Sequence, residues 1–145
     1  MTRLLMASTC LAVGLLTAMV FSLFSYFAFF PSRLHLTASS DLFGIALVGG
    51  LYTAGLPLLT LWILGLRRFL SPSAAALVSA VWLLSIVLWR SLKPYNYFGV
   101  FPTWVLYRDF VQPLPTALAA GLVFGLVARR VSSNPSLQRT GFAGR

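Results

Sequence analysis

Chemistry needs ionisable or nucleophilic side chains, and this sequence offers few. Its two acids are Asp41 and Asp109, and its one histidine is His35. Arg33, Arg90, Lys93 and Arg108 fall on the same side of the expected bundle and could gather with them at one outer rim. Two carboxylates and a histidine brought together could bind a metal or serve as acid and base. A cationic rim with aromatic neighbours could grip a phosphate headgroup. A plainer reading is preferred, interfacial anchoring plus helix capping. Asp41 and Asp109 precede apolar stretches, and Arg67, Arg68, Arg90, Arg129 and Arg130 follow them. That is the placement the helix dipole favours. His35, in a short polar connection, is read as solvated. Cys10 is the only cysteine, which rules out an internal disulfide and a Cys-based metal motif. It reads as a small packing residue. HExxH, CxxC, GxxxxGK[ST] and GxSxG are all absent. Proton relays and ion sites inside a membrane need ionisable residues at depth, and no apolar stretch carries one at its middle. No catalytic, metal or cofactor residue is assigned on these grounds, and an enzyme is disfavoured.

The elements that hold these residues follow from composition. Of the 145 residues, 59% are hydrophobic and 9% charged, with mean hydropathy +0.87. A soluble domain carries about a quarter charged residues, so lipid must solvate much of this chain. The expected fold is all-α, a four-transmembrane-helix bundle occupying residues 1–130. Its spans fall at about 4–30, 42–66, 72–92 and 110–128, each of a length that crosses a hydrocarbon core of about 30 Å. The first resembles a secretory signal, but its apolar run is too long and ends in the bulky Phe27-Ala28-Phe29-Phe30-Pro31. It is read as an uncleaved anchor. Pro57 should kink the second span, and Pro113 and Pro115 should delay the regular start of the fourth. Between Ser91 and Asp109 lies an aromatic connection expected to rest at the bilayer surface and not to form one continuous helix. Residues 131–145 read as a disordered polar tail.

Cations decide the threading. Arg3, Arg67, Arg68, Arg129, Arg130, Arg139 and Arg145 fall on one side of a four-span chain, and Arg33, Arg90, Lys93 and Arg108 on the other. The bias puts both termini in the cytoplasm. The net charge of +9 is expected to meet anionic lipid headgroups near the arginines and not nucleic acid, since no helix carries a basic recognition face.

Small residues recur every four positions. Gly14 and Ala18 lie on the first span, Ala46, Gly50 and Ala54 on the second, and Ala117, Gly121 and Gly125 on the fourth. Helices in lipid associate through such faces, because close backbone approach is what distinguishes a helix from a lipid tail. Packing within one bundle is the expected use, with the fourth span against the first or second. Homo-oligomerisation is the alternative.

The tail Asn134-Pro135-Ser136-Leu137-Gln138-Arg139-Thr140-Gly141-Phe142-Ala143-Gly144-Arg145 resembles the ends of hypothetical proteins encoded in integron-type gene cassettes. That resemblance covers the tail alone. It implies a bacterial, mobile gene and a tail without a structural role. The sequence thus reads as a small bacterial inner-membrane protein of accessory, partner-binding or self-associating type. Two alternatives stand beside it: an oligomeric small-solute transporter or channel-like protein, and an enzyme or lipid-headgroup binder using the outer polar rim.

Overall fold

A computed structural model of the chain describes residues 3–29, 39–98, 103 and 107–133, with the backbone alone at 39, 40, 91 and 93–98. They form α1 (Arg3–Phe29), α2 (Ser39–Arg67), α3 (Pro72–Phe98) and α4 (Leu114–Ser132), with a π-helical turn, Tyr107–Val111, leading into α4. All four helices include a segment long and apolar enough to cross a membrane, the fourth counted from the π-helical turn. The protein is an all-α, four-span membrane bundle.

The boundaries differ from expectation where proline acts. α3 was expected to end near Leu92, yet it runs through Pro94 to Phe98. A proline costs a helix the bond to the carbonyl four residues back, here that of Arg90. Near a helix end that carbonyl can find water or a headgroup instead. Beyond Phe98 the aromatic connection is described only at Thr103 and from Tyr107 onward. Arg33, His35 and the tail from Asn134 onward lie outside the described residues. α4 outruns its expected end at Ala128 and reaches Ser132. At its start, Pro113 and Pro115 supply no N–H, and the ladder widens instead. The Gln112 N–H reaches back five residues to the Tyr107 carbonyl at 3.2 Å, a π-helical spacing.

α4 touches all three other helices, and α2 touches α1 and α3. The bundle is therefore a rhombus, with α2 and α4 on the short diagonal and α1 and α3 at the far corners. Residue size explains the arrangement. Ala7, Cys10, Ala18, Ala54, Ala75 and Ala120 are fully buried, whereas Phe24, Val48, Leu77 and Trp89 are each more than 60% exposed. A soluble bundle would place its large apolar residues inside. Here many large side chains point outward, and small ones let the backbones approach, with Leu58, Leu61, Leu83 and Phe124 filling the space between.

The ladders of α1 and α2 meet each other. A Cβ built on Gly50 would lie 3.0 Å from the Met19 nitrogen, and one on Gly14 would lie 2.8 Å from a Leu58 methyl. The ladder of α4 has a different partner from the expected one. Gly121 and Gly125 lie against Ala75, Ala76, Ser79 and Pro72 of α3, and Ala117 packs with Leu83 and Val87. The adjacent face of α4, with Ala120, Phe124 and Ala128, is the one that packs with Cys10, Ala18, Ala54 and Leu58. α4 is narrow on two faces, which suits it to the short diagonal.

The start of α1, the turn between α2 and α3 and the later part of α4 gather at one end of the bundle. Arg3 Nη1 donates to the Arg67 carbonyl at 2.7 Å, tying the start of α1 to the end of α2. A cation at a helix C-terminus meets the negative end of its dipole. Five residues further into each helix, Trp62 Nε1 donates to Ser8 Oγ at 3.3 Å.

Candidate functional site

At the opposite end, the π-helical turn places Asp109 inside the bundle, 8% exposed. A buried carboxylate needs partners, and two arginines supply them. Arg108 grips it twice, through Nε at 2.6 Å and Nη2 at 3.2 Å. Adjacent residues on a regular α-helix do not face each other, so this pairing is a product of the turn. Arg90, from α3, brings Nη1 to 3.5 Å of Asp109 Oδ2, the oxygen that also accepts from Arg108 Nη2. The same Arg90 Nη1 donates to the Tyr52 hydroxyl of α2, and its guanidinium carbon lies 5.6 Å from the Tyr52 ring centre. This cation–π geometry makes Arg90 a clip across α2, α3 and the turn.

Beside the cluster is a cleft of about 280 Å³. Ser22, Ser25 and Tyr26 of α1 line one wall, and Ile45, Gly49, Tyr52 and Thr53 of α2 another. Arg108, Asp109, Gln112, Pro113 and Thr116 complete it. Three of the hydroxyls here are satisfied by backbone. Thr53 donates to the Gly49 carbonyl at 2.7 Å, and Ser25 to the Gln112 carbonyl at 3.0 Å. Ser22 reaches the Ile45 carbonyl at 3.5 Å. Thr116 differs. It is 1% exposed, and its hydroxyl has no hydrogen-bond partner among the described residues. The Gln112 carboxamide also has none among them. Beneath the cleft, Ala54, Leu58, Leu61 and Phe124 close the core.

The electrostatics favour an anion. Two guanidinium groups face one carboxylate, leaving one positive charge in excess. The N-terminus of α4 adds to it, since no side chain caps that end. Among the described residues, no three His, Cys, Asp or Glu side chains come together to hold a metal.

Of the rim residues singled out by sequence, Arg90, Arg108 and Asp109 come together. Asp41 does not join them. It is exposed in the first turn of α2 and makes no ion pair among the described residues. Of Lys93 only the backbone is described. Sequence reasoning missed Ser22, Ser25, Tyr52, Thr53, Gln112 and Thr116. Ser22 does continue the small-residue spacing of α1 upward, and Thr116 stands four residues before Ala120. No linear signal connects Tyr52 to Arg90.

No family model, curated protein or solved structure matches the chain. The fold and site define a multi-pass membrane bundle with a polar cleft at one end.

Thr116→Val removes a buried hydroxyl that the described protein leaves unpaired and substitutes a side chain of nearly the same shape. Such a change is neutral or stabilising, by up to about 1 kcal/mol, because an unmade hydrogen bond costs its desolvation. Thermal unfolding in detergent measures it. A clear loss of stability would mean that the hydroxyl is bonded in the folded protein.

Proposed function

We propose that the protein is a non-enzymatic binding subunit of the bacterial inner membrane, with both termini in the cytoplasm and its recognition site in the outer polar cleft. One observation carries this reading: a cleft with surplus positive charge, in which a buried hydroxyl and a carboxamide have no partner among the described residues. Groups of that kind are what a ligand would satisfy. Catalysis has less support. Both Asp109 oxygens already accept from arginine, leaving the carboxylate poorly placed to take a substrate proton. The closed core beneath the cleft disfavours a conducting path through a single copy.

Water access tests the reading. In a Cys10→Ala background, Ser25→Cys, at a half-buried position on the cleft wall, should react with N-ethylmaleimide, which needs a water-exposed thiol. An unreactive thiol in detergent at both Ser25→Cys and Ser22→Cys would show that no ligand can reach the site.

Threading is tested separately. The seven-to-four cation bias is supported by the Arg3 bond to the end of α2, which places α1's start beside Arg67. Reporter fusions after Ala128 and within residues 95–104 should give opposite signals, cytoplasmic for the first. Equal signals would sink the four-span topology in the membrane.

A further inference from the structure

We propose that the cleft holds the polar end of an anionic phospholipid, with its phosphodiester at Arg108 and a glycerol ester carbonyl at Thr116. This rests on the reading of the cleft as a binding site.

The order of groups in the cleft is the starting point. Arg108 and Asp109 stand at its rim, Gln112 follows, and Thr116 lies seven residues beyond Asp109 toward the bundle's middle. At the rise of a helix that is about 10 Å of depth. The lining therefore passes from charged to neutral hydrogen-bonding to the apolar core at Leu58 and Phe124. A phospholipid presents the same order: a phosphate, then ester carbonyls, then acyl chains. The headgroup layer on each side of a bilayer is about 5–7 Å thick, so a site of this depth runs from the phosphate level past the ester level.

Hydrogen-bonding capacity agrees. An ester carbonyl only accepts, and the Thr116 hydroxyl and the Gln112 amide can each donate. Charge selects among lipids. Arg90 and Arg108 against Asp109 leave one positive charge, which one phosphodiester with an uncharged headgroup neutralises. A choline headgroup would bring a further cation toward two arginines. A metal cation is disfavoured for the same reason, since Asp109 is already held by both.

Maleimide labelling of Ser25→Cys, on the half-buried wall of the cleft and in the Cys10→Ala background, decides the matter. It is measured in detergent without phospholipid, in phosphatidylcholine nanodiscs, and in nanodiscs containing phosphatidylglycerol. The expected result is ready labelling in detergent and in phosphatidylcholine, slowed about tenfold by phosphatidylglycerol, a factor within reach of one charge-assisted contact. Arg108→Gln should abolish the slowing. Ser22→Cys, half-buried in the same wall, serves in the same way if Ser25→Cys does not fold. Equal rates in the two kinds of disc would overturn the proposal while leaving an accessible binding site. Protection by glycerol phosphate in detergent as strong as that by phosphatidylglycerol would also overturn it, by assigning the cleft to a soluble phosphate ester. No labelling even in detergent would instead defeat the binding reading itself.

Discussion

Gly121→Leu and Gly125→Leu each destabilise the bundle, by about 1–3 kcal/mol, the usual cost of overpacking a close contact. The cause lies in what the new side chain meets. A Cβ at Gly125 would stand 2.5 Å from Pro72 Cα, and one at Gly121 would stand 2.6 Å from the Ala75 carbonyl oxygen and 2.9 Å from Ala76 Cα. These are backbone atoms of α3, so the neighbour cannot yield by turning a side chain. The helices must part, and the dispersion contacts of close approach go with them. Gly121→Ala and Gly125→Ala should already be destabilising, because the clash begins at Cβ. Val123 is only half-buried, so Val123→Leu provides the control. Steric trapping or thermal unfolding in detergent reports the difference. Leucine substitutions as harmless as Val123→Leu would refute the contact between α3 and α4. If they dissociated an oligomer while the monomer's melting stayed unchanged, the groove would lie between copies instead.

Asp109→Asn is expected to cost about 1–2 kcal/mol. Breaking a buried ion pair typically costs about 3–5 kcal/mol, because the remaining charge is left without a partner. Arg90 and Arg108 have side chains 47% and 53% exposed, so solvent screens the loss and the figure is reduced accordingly. Arg108→Gln should cost less than Asp109→Asn, since Asp109 keeps Arg90, whereas losing Asp109 leaves two cations facing each other. Arg90 links the site to α2, so Tyr52→Phe and Asp109→Asn should be non-additive. Thermal unfolding of the four variants in one detergent measures all of this. Asp41→Asn is the reference, because Asp41 is exposed and unpaired among the described residues. An Asp109→Asn effect no larger than that of Asp41→Asn would show that the cluster does not hold the end of the bundle together.

Sequence alone determined the number, order and rough limits of the helices. Charge-free runs long enough to cross a bilayer are a local property of the chain, and arginines and prolines punctuate them locally too. The small-residue ladders were equally visible, since i and i+4 share a helix face whatever the fold. Which ladder meets which was not. Gly121 and Gly125 face α3 because α4 occupies the short diagonal, and that position reflects the joint packing of two adjacent narrow faces on four helices. The ladder spacing names a face but no partner. The site divides in the same way. Asp109 beside Arg108 could be read directly, but not the inward turn that buries it. That turn comes from Pro113 and Pro115 denying N–H groups to the preceding backbone, together with the place α3 gives Arg90. Asp41, chemically identical to Asp109 and equally well set before a helix, was left in the open. The arrival of Tyr52, Thr53, Ser22 and Thr116 around one cleft was decided only when three helices crossed at one level. Hydroxyl side chains spaced along separate apolar spans carry no signal of convergence until tertiary packing sets their relative height and rotation.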